Sequence, residues 1–92
     1  MDYIVTHNTD ACRFEILMDD GQIAYLDYDE TEVGLVFAHT YVPKAFEGRG
    51  VAASLVKFGL EYAQKMNIPI TPSCPYVVAY IKRHPEYEQL VK

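Results

Sequence analysis

The sequence has few of the residues that build disulfide scaffolds, zinc sites or membrane spans. Its two cysteines, Cys12 and Cys74, are too few for a disulfide framework, and their spacing matches no paired Cys or His motif for zinc. No run approaches ~18 consecutive apolar residues, and residues 1–10 lack the apolar stretch of a signal peptide. We therefore expect a cytoplasmic protein with no metal and no membrane partner.

Positive charge is also scarce. The chain carries 8 Lys and Arg against 13 Asp and Glu, which gives a formal net charge of -5. Nucleic-acid binding depends on cationic patches that release counterions, so we expect no nucleic-acid partner. A phosphorylated small molecule remains compatible with this charge, because backbone N–H groups supply local positive potential.

The proportions of hydrophobic and charged residues are typical of a globular protein. Hydrophobic residues make up 50% of the chain and charged residues 23%, which argues against disorder. A chain of 92 residues has apolar material for one core only. We expect a single domain over residues 1–92.

A β-hairpin is predicted in the first third of the chain. Apolar and polar residues alternate over residues 14–18, and a second strand is predicted over residues 22–28. Between them, Asp19-Asp20-Gly21 is a strong turn signal.

A third strand is predicted over residues 34–42, after an acidic turn at residues 29–32. Apolar residues occupy both faces, as in a central strand. Strict alternation places four side chains on one face: Leu35, Phe37, His39 and Tyr41. Pro43 ends the strand because it has no N–H to donate.

Two helices are predicted in the second half. Apolar residues at helical spacing indicate a helix from Val51 to Met66, ended by Asn67, and Pro75 suits the first position of a helix running to Arg83. Residues 68–71 are a short strand candidate, and residues 86–92 are predicted as one more loose helical turn. The fold class is α/β (α+β): a mostly antiparallel sheet of about four strands, one long helix after a glycine loop, and a short C-terminal helix.

The segment between the third strand and the long helix has the features of an anion-binding loop. Gly48 and Gly50 allow main-chain N–H groups to approach a ligand closely, and the helix that begins at Val51 adds unpaired donors and a positive dipole end. We expect the amides from Phe46 to Ala52 to converge on a phosphate or pyrophosphate. Neither familiar glycine motif explains the segment.

The P-loop requires Lys and a hydroxyl residue after its last glycine, whereas Val51 and Ala52 follow Gly50. Gly48-x-Gly50-x-x-Ala53 fits the dinucleotide fingerprint literally, but the chain is too short for that fold and residues 66–72 offer no carboxylate for a ribose.

The run Val42-Pro43 followed by Glu47-Gly48-Arg49-Gly50-Val51-Ala52 resembles the acetyl-coenzyme A motif of GNAT acyltransferases, (Gln/Arg)-x-x-Gly-x-(Gly/Ala). The resemblance extends over about residues 14–83, and the later Cys74-Pro75-Tyr76 is similar to a subfamily of minimal, stand-alone members. Glu47 departs from the motif, since the family usually has Gln or Arg there. Because the contact is largely through main chain, we expect weakened rather than abolished affinity.

The resemblance implies which residues bind acetyl-CoA or CoA. The loop would hold the pyrophosphate, the end of the strand would run beside the pantetheine, and the start of the C-terminal helix would flank the thiol. In chain order, these residues are Tyr41, Val42, Phe46, Glu47, Gly48, Arg49, Gly50, Val51, Ala52, Cys74, Tyr76, Val77, Tyr80 and Ile81.

Four side chains are candidates for catalysis. His39 either acts as a base, directly or through water, because the imidazole group exchanges protons near neutral pH, or is a strand histidine hydrogen-bonded in the core. Cys74, just before Pro75, either accepts the acetyl group, lines the thioester pocket, or is an inert buried thiol. Tyr76 or Tyr80, four residues apart on one helix, either reprotonates the coenzyme sulfur, as the resemblance implies, or only packs.

The expected function is acetyl-CoA-dependent acetyl transfer to an amine. We expect a monomer or weak homodimer whose acceptor site is shallow or shared, which favours a large acceptor such as a protein amine. The alternatives are a coenzyme A sensor without turnover and an interaction module in which the glycines serve only the turn.

Overall fold

The computed structural model describes residues 3–92, and its sheet contains five strands in the order of the sequence. The strands are β1 (Thr6–Asn8), β2 (Arg13–Leu17), β3 (Ile23–Thr31), β4 (Gly34–Tyr41) and β5 (Ile70–Pro72). β1 to β4 pair in antiparallel fashion, and β5 pairs with β4 in parallel. The predicted mostly antiparallel sheet is confirmed. β1 was not expected, because its three residues are too few to show an alternating pattern.

The β2–β3 hairpin closes at the predicted turn. Gly21 has a φ of 89° and its amide donates to the Met18 carbonyl at 2.9 Å, while the Asp20 carboxylate accepts the Gln22 amide at 3.0 Å. β3 then continues to Thr31, so the prediction of a turn from residue 29 onward is wrong. The backbone of residues 29–31 pairs with Gly34 to Val36 of β4 instead.

A β-bulge in β4 reverses the faces of its second half. Tyr28 pairs with Phe37 but Asp27 pairs with His39, so Ala38 is an extra residue on β4. Leu35 and Phe37 are therefore buried, whereas His39 and Tyr41 are exposed. The prediction that all four share one face is wrong because the extra residue shifts the alternation. The prediction that both faces are covered is also wrong, because His39 and Tyr41 are exposed on the outer face.

Both predicted helices are confirmed. α1 spans Val51–Met66 and α2 spans Pro75–Arg83, and short 3₁₀ helices cover Lys44–Phe46 and Pro85–Leu90. Asn67 ends α1 in the left-handed conformation, where its amide donates to the carbonyls of Ala63 and Gln64. Within residues 3–92, no helix combines the length and apolarity that crossing a bilayer would require.

The core lies between α1 and the inner face of the sheet. A Cβ added to Gly59 in α1 would lie 3.2 Å from each of the side chains of Phe14, Leu26 and Phe37. All three side chains are fully buried. Gly59 therefore allows close approach of the helix to the sheet.

Candidate functional site

The site begins where β4 and β5 separate. β5 pairs with β4 only as far as Phe37, which faces Pro72. The amides of Ser73 and Cys74 both donate to the Phe37 carbonyl at 3.0 Å, and the chain then turns into α2. β4 continues beyond this point to Tyr41, so a cleft opens between the end of β4 and the start of α2.

The cleft has a volume of about 380 Å³, within the range of small-molecule sites. Its walls are the end of β4, the loop with the start of α1, and the start of α2. The lining residues are Thr40, Val42, Phe46, Glu47, Gly48, Gly50, Val51, Ala52, Cys74 and Tyr76. The structure thus brings together most of the residues expected to bind the coenzyme.

The loop amides at the cleft divide into two groups. The Phe46 amide donates to the Pro43 carbonyl at 2.8 Å and the Glu47 amide to the Lys44 carbonyl at 3.3 Å, because a 3₁₀ turn forms there. The next amide with a backbone acceptor is that of Ser54, which donates to Gly50 at 3.0 Å. In this described part of the chain, the amides of residues 48–53 donate to no backbone carbonyl. The prediction that the amides from Phe46 to Ala52 are all available to a ligand is therefore wrong for Phe46 and Glu47, and the amides without a backbone acceptor are those of residues 48–53.

Both loop glycines are required by their backbone conformation. Gly48 and Gly50 each have a φ of 79°, a left-handed conformation that side chains with a Cβ rarely adopt. A Cβ at either position would meet no atom within 4 Å. Glycine is therefore not required here by a lack of space. It is required by the left-handed backbone conformation, which turns the chain so that the following amides are exposed.

The charge at the start of α1 favours an anion. The first turn contains no acidic residue, so its unpaired amides and the helix dipole are not neutralised from within the helix. The Arg49 guanidinium lies 5.5 Å from the centre of the Phe46 ring, next to the loop. Glu47 lines the cleft and is the one carboxylate among its lining residues.

Cys74 is positioned as the sequence predicts, at the N-cap of α2 with Pro75 following. The thiol is 6% exposed, and its Sγ lies 3.3 Å from Oγ1 of Thr40. Burial raises the pKa of Cys74, but hydrogen bonds from the Thr40 hydroxyl and from the amides of Val77 and Tyr76 outweigh it. The net pKa is below its ordinary value.

Thr40 is the cleft residue that sequence reasoning missed. It lies two residues before Val42 at the end of the strand, so the two side chains share a face, and both line the cleft. The bulge determines that this face turns inward, and nothing in the sequence of β4 marks the position of the bulge.

Other predicted residues lie outside the cleft. His39 and Tyr41 are on the outer face of the sheet, where their rings lie 6.1 Å and 5.4 Å from that of Tyr25. Arg49 is exposed and lines a neighbouring cavity. The structure does not bring these three side chains to the cleft.

Three α2 residues expected at the coenzyme are in the core. Val77 and Ile81 are buried, and Tyr80 is 6% exposed and stacks on His84 with ring centres 4.1 Å apart. Burial, with smaller contributions from Tyr87 and nearby carboxylates, raises the pKa of Tyr80. Tyr76 alone of the two candidate tyrosines lines the cleft.

Comparisons with known proteins place the sequence beside one family model and a set of related proteins. The family model described as GCN5-related N-acetyl-transferase matches residues 13–90. The chain is also similar to Protein NATD1 of Xenopus tropicalis, with 36% identity over 47 residues that cover 51% of this chain and 43% of that protein. Protein NATD1 of Homo sapiens is 36% identical over 47 residues, which cover 42% of it. The aligned segment thus spans half of this chain and less than half of each relative.

Proposed function

Since the chain belongs to the GCN5-related N-acetyltransferase family, whose model matches residues 13–90, we propose that it uses acetyl-CoA to acetylate an amine. The acceptor that we propose is a protein amine or another large amine. The observation that carries the proposal is the run of amides at residues 48–53 that have no backbone acceptor, since four residues of this run, Gly48 and residues 50–52, line the 380 Å³ cleft. Successive free amides at a helix N-terminus suit a diphosphate.

The remaining walls of the cleft fit the arm of acetyl-CoA. Val42 and Phe46 are apolar, and the edge of β4 beyond Phe37 is not paired with β5. This edge offers N–H and C=O groups to the amides of the pantetheine in the manner of an added strand. The coenzyme supplies a thioester, and the acetyl end would lie near Cys74 and Tyr76.

Acetyl transfer requires the removal of one proton and the supply of another. The amine nitrogen bonds to the thioester carbonyl carbon, the carbon–sulfur bond breaks, and the electron pair stays on sulfur. We assign Tyr76, which lines the cleft, as the donor of the proton that sulfur takes up.

The proton that leaves the amine needs an acceptor on the side from which the amine approaches. His39 is exposed on the outer face, one residue before the cleft residue Thr40. We assign His39 as this acceptor for an amine that approaches through the gap between β4 and β5. A large acceptor suits this exposed side of the sheet.

Cys74 is an alternative acceptor of the acetyl group, since its pKa is lowered and it lines the cleft. In that route, the Cys74 thiolate bonds to the acetyl carbon, the carbon–sulfur bond to CoA breaks, and CoA leaves as a thiolate that takes up a proton. The amine nitrogen then bonds to the same carbon, the carbon–sulfur bond to Cys74 breaks, and the amine proton passes to the base. Mass spectrometry after incubation with acetyl-CoA tests this route: a covalent acetyl adduct must form in the Cys12→Ser protein and be absent when Cys74→Ala is added.

Calorimetry and thiol release test the proposed function as a whole. We expect saturable binding of acetyl-CoA and CoA but not of ATP, and release of free thiol when amines such as lysine-containing peptides are added. Absence of acetyl-CoA binding would refute the proposal. Binding without thiol release across the amines would instead support the coenzyme A sensor.

A further inference from the structure

A second cavity, of about 570 Å³, lies beside the loop. We call it the hairpin groove. The N-terminal segment, the β2 arm of the hairpin and the loop region all contribute to it. Its lining residues include Tyr3, Ile4, Leu17, Asp19, Phe46 and Arg49. Phe46 lines both this groove and the cleft, so the two cavities share a wall.

We propose that the hairpin groove binds the adenine nucleotide end of the coenzyme, an inference that rests on the proposed function. Coenzyme A has a diphosphate between its thioester arm and its nucleotide. If residues 48–53 hold the diphosphate and the arm enters the cleft, the nucleotide must continue from the loop in another direction. The hairpin groove is the cavity that contains a residue of the loop, Arg49, and shares Phe46 with the cleft.

The side chains of the groove suit a purine nucleotide. The Arg49 guanidinium lies 5.5 Å from the centre of the Phe46 ring, and the Tyr3 hydroxyl donates to the Arg49 carbonyl at 3.0 Å. Aromatic rings and guanidinium planes are the groups on which nucleobases stack in proteins. Arg49 also supplies a cation for the phosphate on the ribose, and the Asp19 carboxylate is an acceptor for the exocyclic amine of adenine.

A neighbouring cavity along α1 is a poorer candidate. Its volume is about 280 Å³, and it is lined by Tyr3, Val5 and the side of α1 from Ser54 to Glu61. None of residues 43–53 lines it. A nucleotide bound there would lie along α1, in a cavity that shares no lining residue with the cleft.

The test compares two ligands and two matched variants. Acetyl-CoA carries the nucleotide, whereas S-acetyl-4′-phosphopantetheine lacks it. Leu17, which lines the groove, and Val33, in the turn at the other end of β3, are 72% and 70% exposed, so a charge at either position leaves the core intact. Leu17→Glu places a negative charge where the nucleotide would lie, and Val33→Glu is the matched control.

Calorimetry should show that Leu17→Glu weakens acetyl-CoA binding by about tenfold, because the new carboxylate repels the phosphate of the nucleotide, and leaves S-acetyl-4′-phosphopantetheine binding unchanged. Arg49→Gln should act in the same direction, and Val33→Glu should change neither affinity. If Leu17→Glu weakens the binding of both ligands equally, or leaves acetyl-CoA binding unchanged, the inference about the hairpin groove is wrong while the proposed function stands. If the unmodified protein binds neither ligand, the proposed function fails as well.

Discussion

Oγ1 of Thr40 and Sγ of Cys74 lie 3.3 Å apart, so that one hydrogen bond joins the end of β4 to the start of α2 across the cleft. The two residues belong to the elements that diverge after the β4–β5 pair ends at Phe37 and Pro72. The contact therefore fixes the distance between the two walls at their inner end. It also stabilises the thiolate form of Cys74 against the cost of burial.

Replacing Thr40 with Val should raise the pKa of Cys74. Val retains the β-branched shape that suits a strand but removes the hydroxyl, so burial is opposed only by the remaining hydrogen bonds. A pH titration of thiolate absorbance, in a Cys12→Ser background with one thiol, measures the change. Thr6→Val on β1, far from Cys74 in the sheet order, is the matched control. An unchanged titration in Thr40→Val would show that the hydroxyl does not stabilise the thiolate.

Replacing Gly50 with Ala should weaken acetyl-CoA binding. Alanine is disfavoured at a φ of 79° by roughly 1–2 kcal/mol, so the loop will relax and its free amides will change direction. Asn67→Ala is a suitable control, because it places alanine at a φ of 60° at the other end of α1. Both variants should lose about 1 kcal/mol of unfolding free energy. Only Gly50→Ala should lower the affinity for acetyl-CoA measured by calorimetry. If the two variants bind acetyl-CoA equally well, the conformation of the loop does not determine binding.

The parts of this fold that follow from the sequence are those set by local signals. Gly50 and Asn67 take positive φ values at the two ends of α1, and Pro75 begins α2, so each helix carries its own boundaries. The glycine loop was likewise recognisable because its residue types and its position between strand and helix are local properties.

The errors arise where pairing between distant segments decides the outcome. The bulge at Ala38 depends on how β4 aligns with β3, and it moves His39 to the opposite face from the one expected of alternation with Phe37. The engaged amides of Phe46 and Glu47 are an error of a different kind, because they donate within a local 3₁₀ turn that the residue types do not specify. The same bulge places Thr40 on the face that lines the cleft.

Replacing Gly59 with Ala should destabilise the protein. Alanine gains up to about 1 kcal/mol of helix propensity, but the new methyl would lie 3.2 Å from three buried side chains, and overpacking typically costs about 1–3 kcal/mol. We expect a net loss of about 1 kcal/mol in chemical denaturation. Ala53→Gly, at a partly buried position of the same helix, isolates the propensity difference without overpacking. A more stable Gly59→Ala protein would mean that α1 moves away from the sheet at little cost.

Removing the titrating ring of His7 should reduce the loss of stability in mild acid. Nε2 of His7 lies 2.6 Å from the Tyr28 hydroxyl, and its ring packs against Phe14 and Tyr62. Burial lowers the pKa of His7 below 6.5, with a smaller opposing effect from Glu30, and burial raises the pKa of Tyr28 to about 12, so the phenol stays protonated.

Because the unfolded chain then binds more protons at His7 than the folded chain does, the contribution of this residue is complete above pH 6.5 and declines as the pH falls toward the lowered value. Chemical denaturation from about pH 7.5 to about pH 5 should show a smaller decline in unfolding free energy for His7→Gln than for the unmodified protein. Carboxylates titrate in both proteins, so the difference between the two curves reports His7. Curves with the same slope would show that His7 is protonated as readily in the folded state as in the unfolded chain.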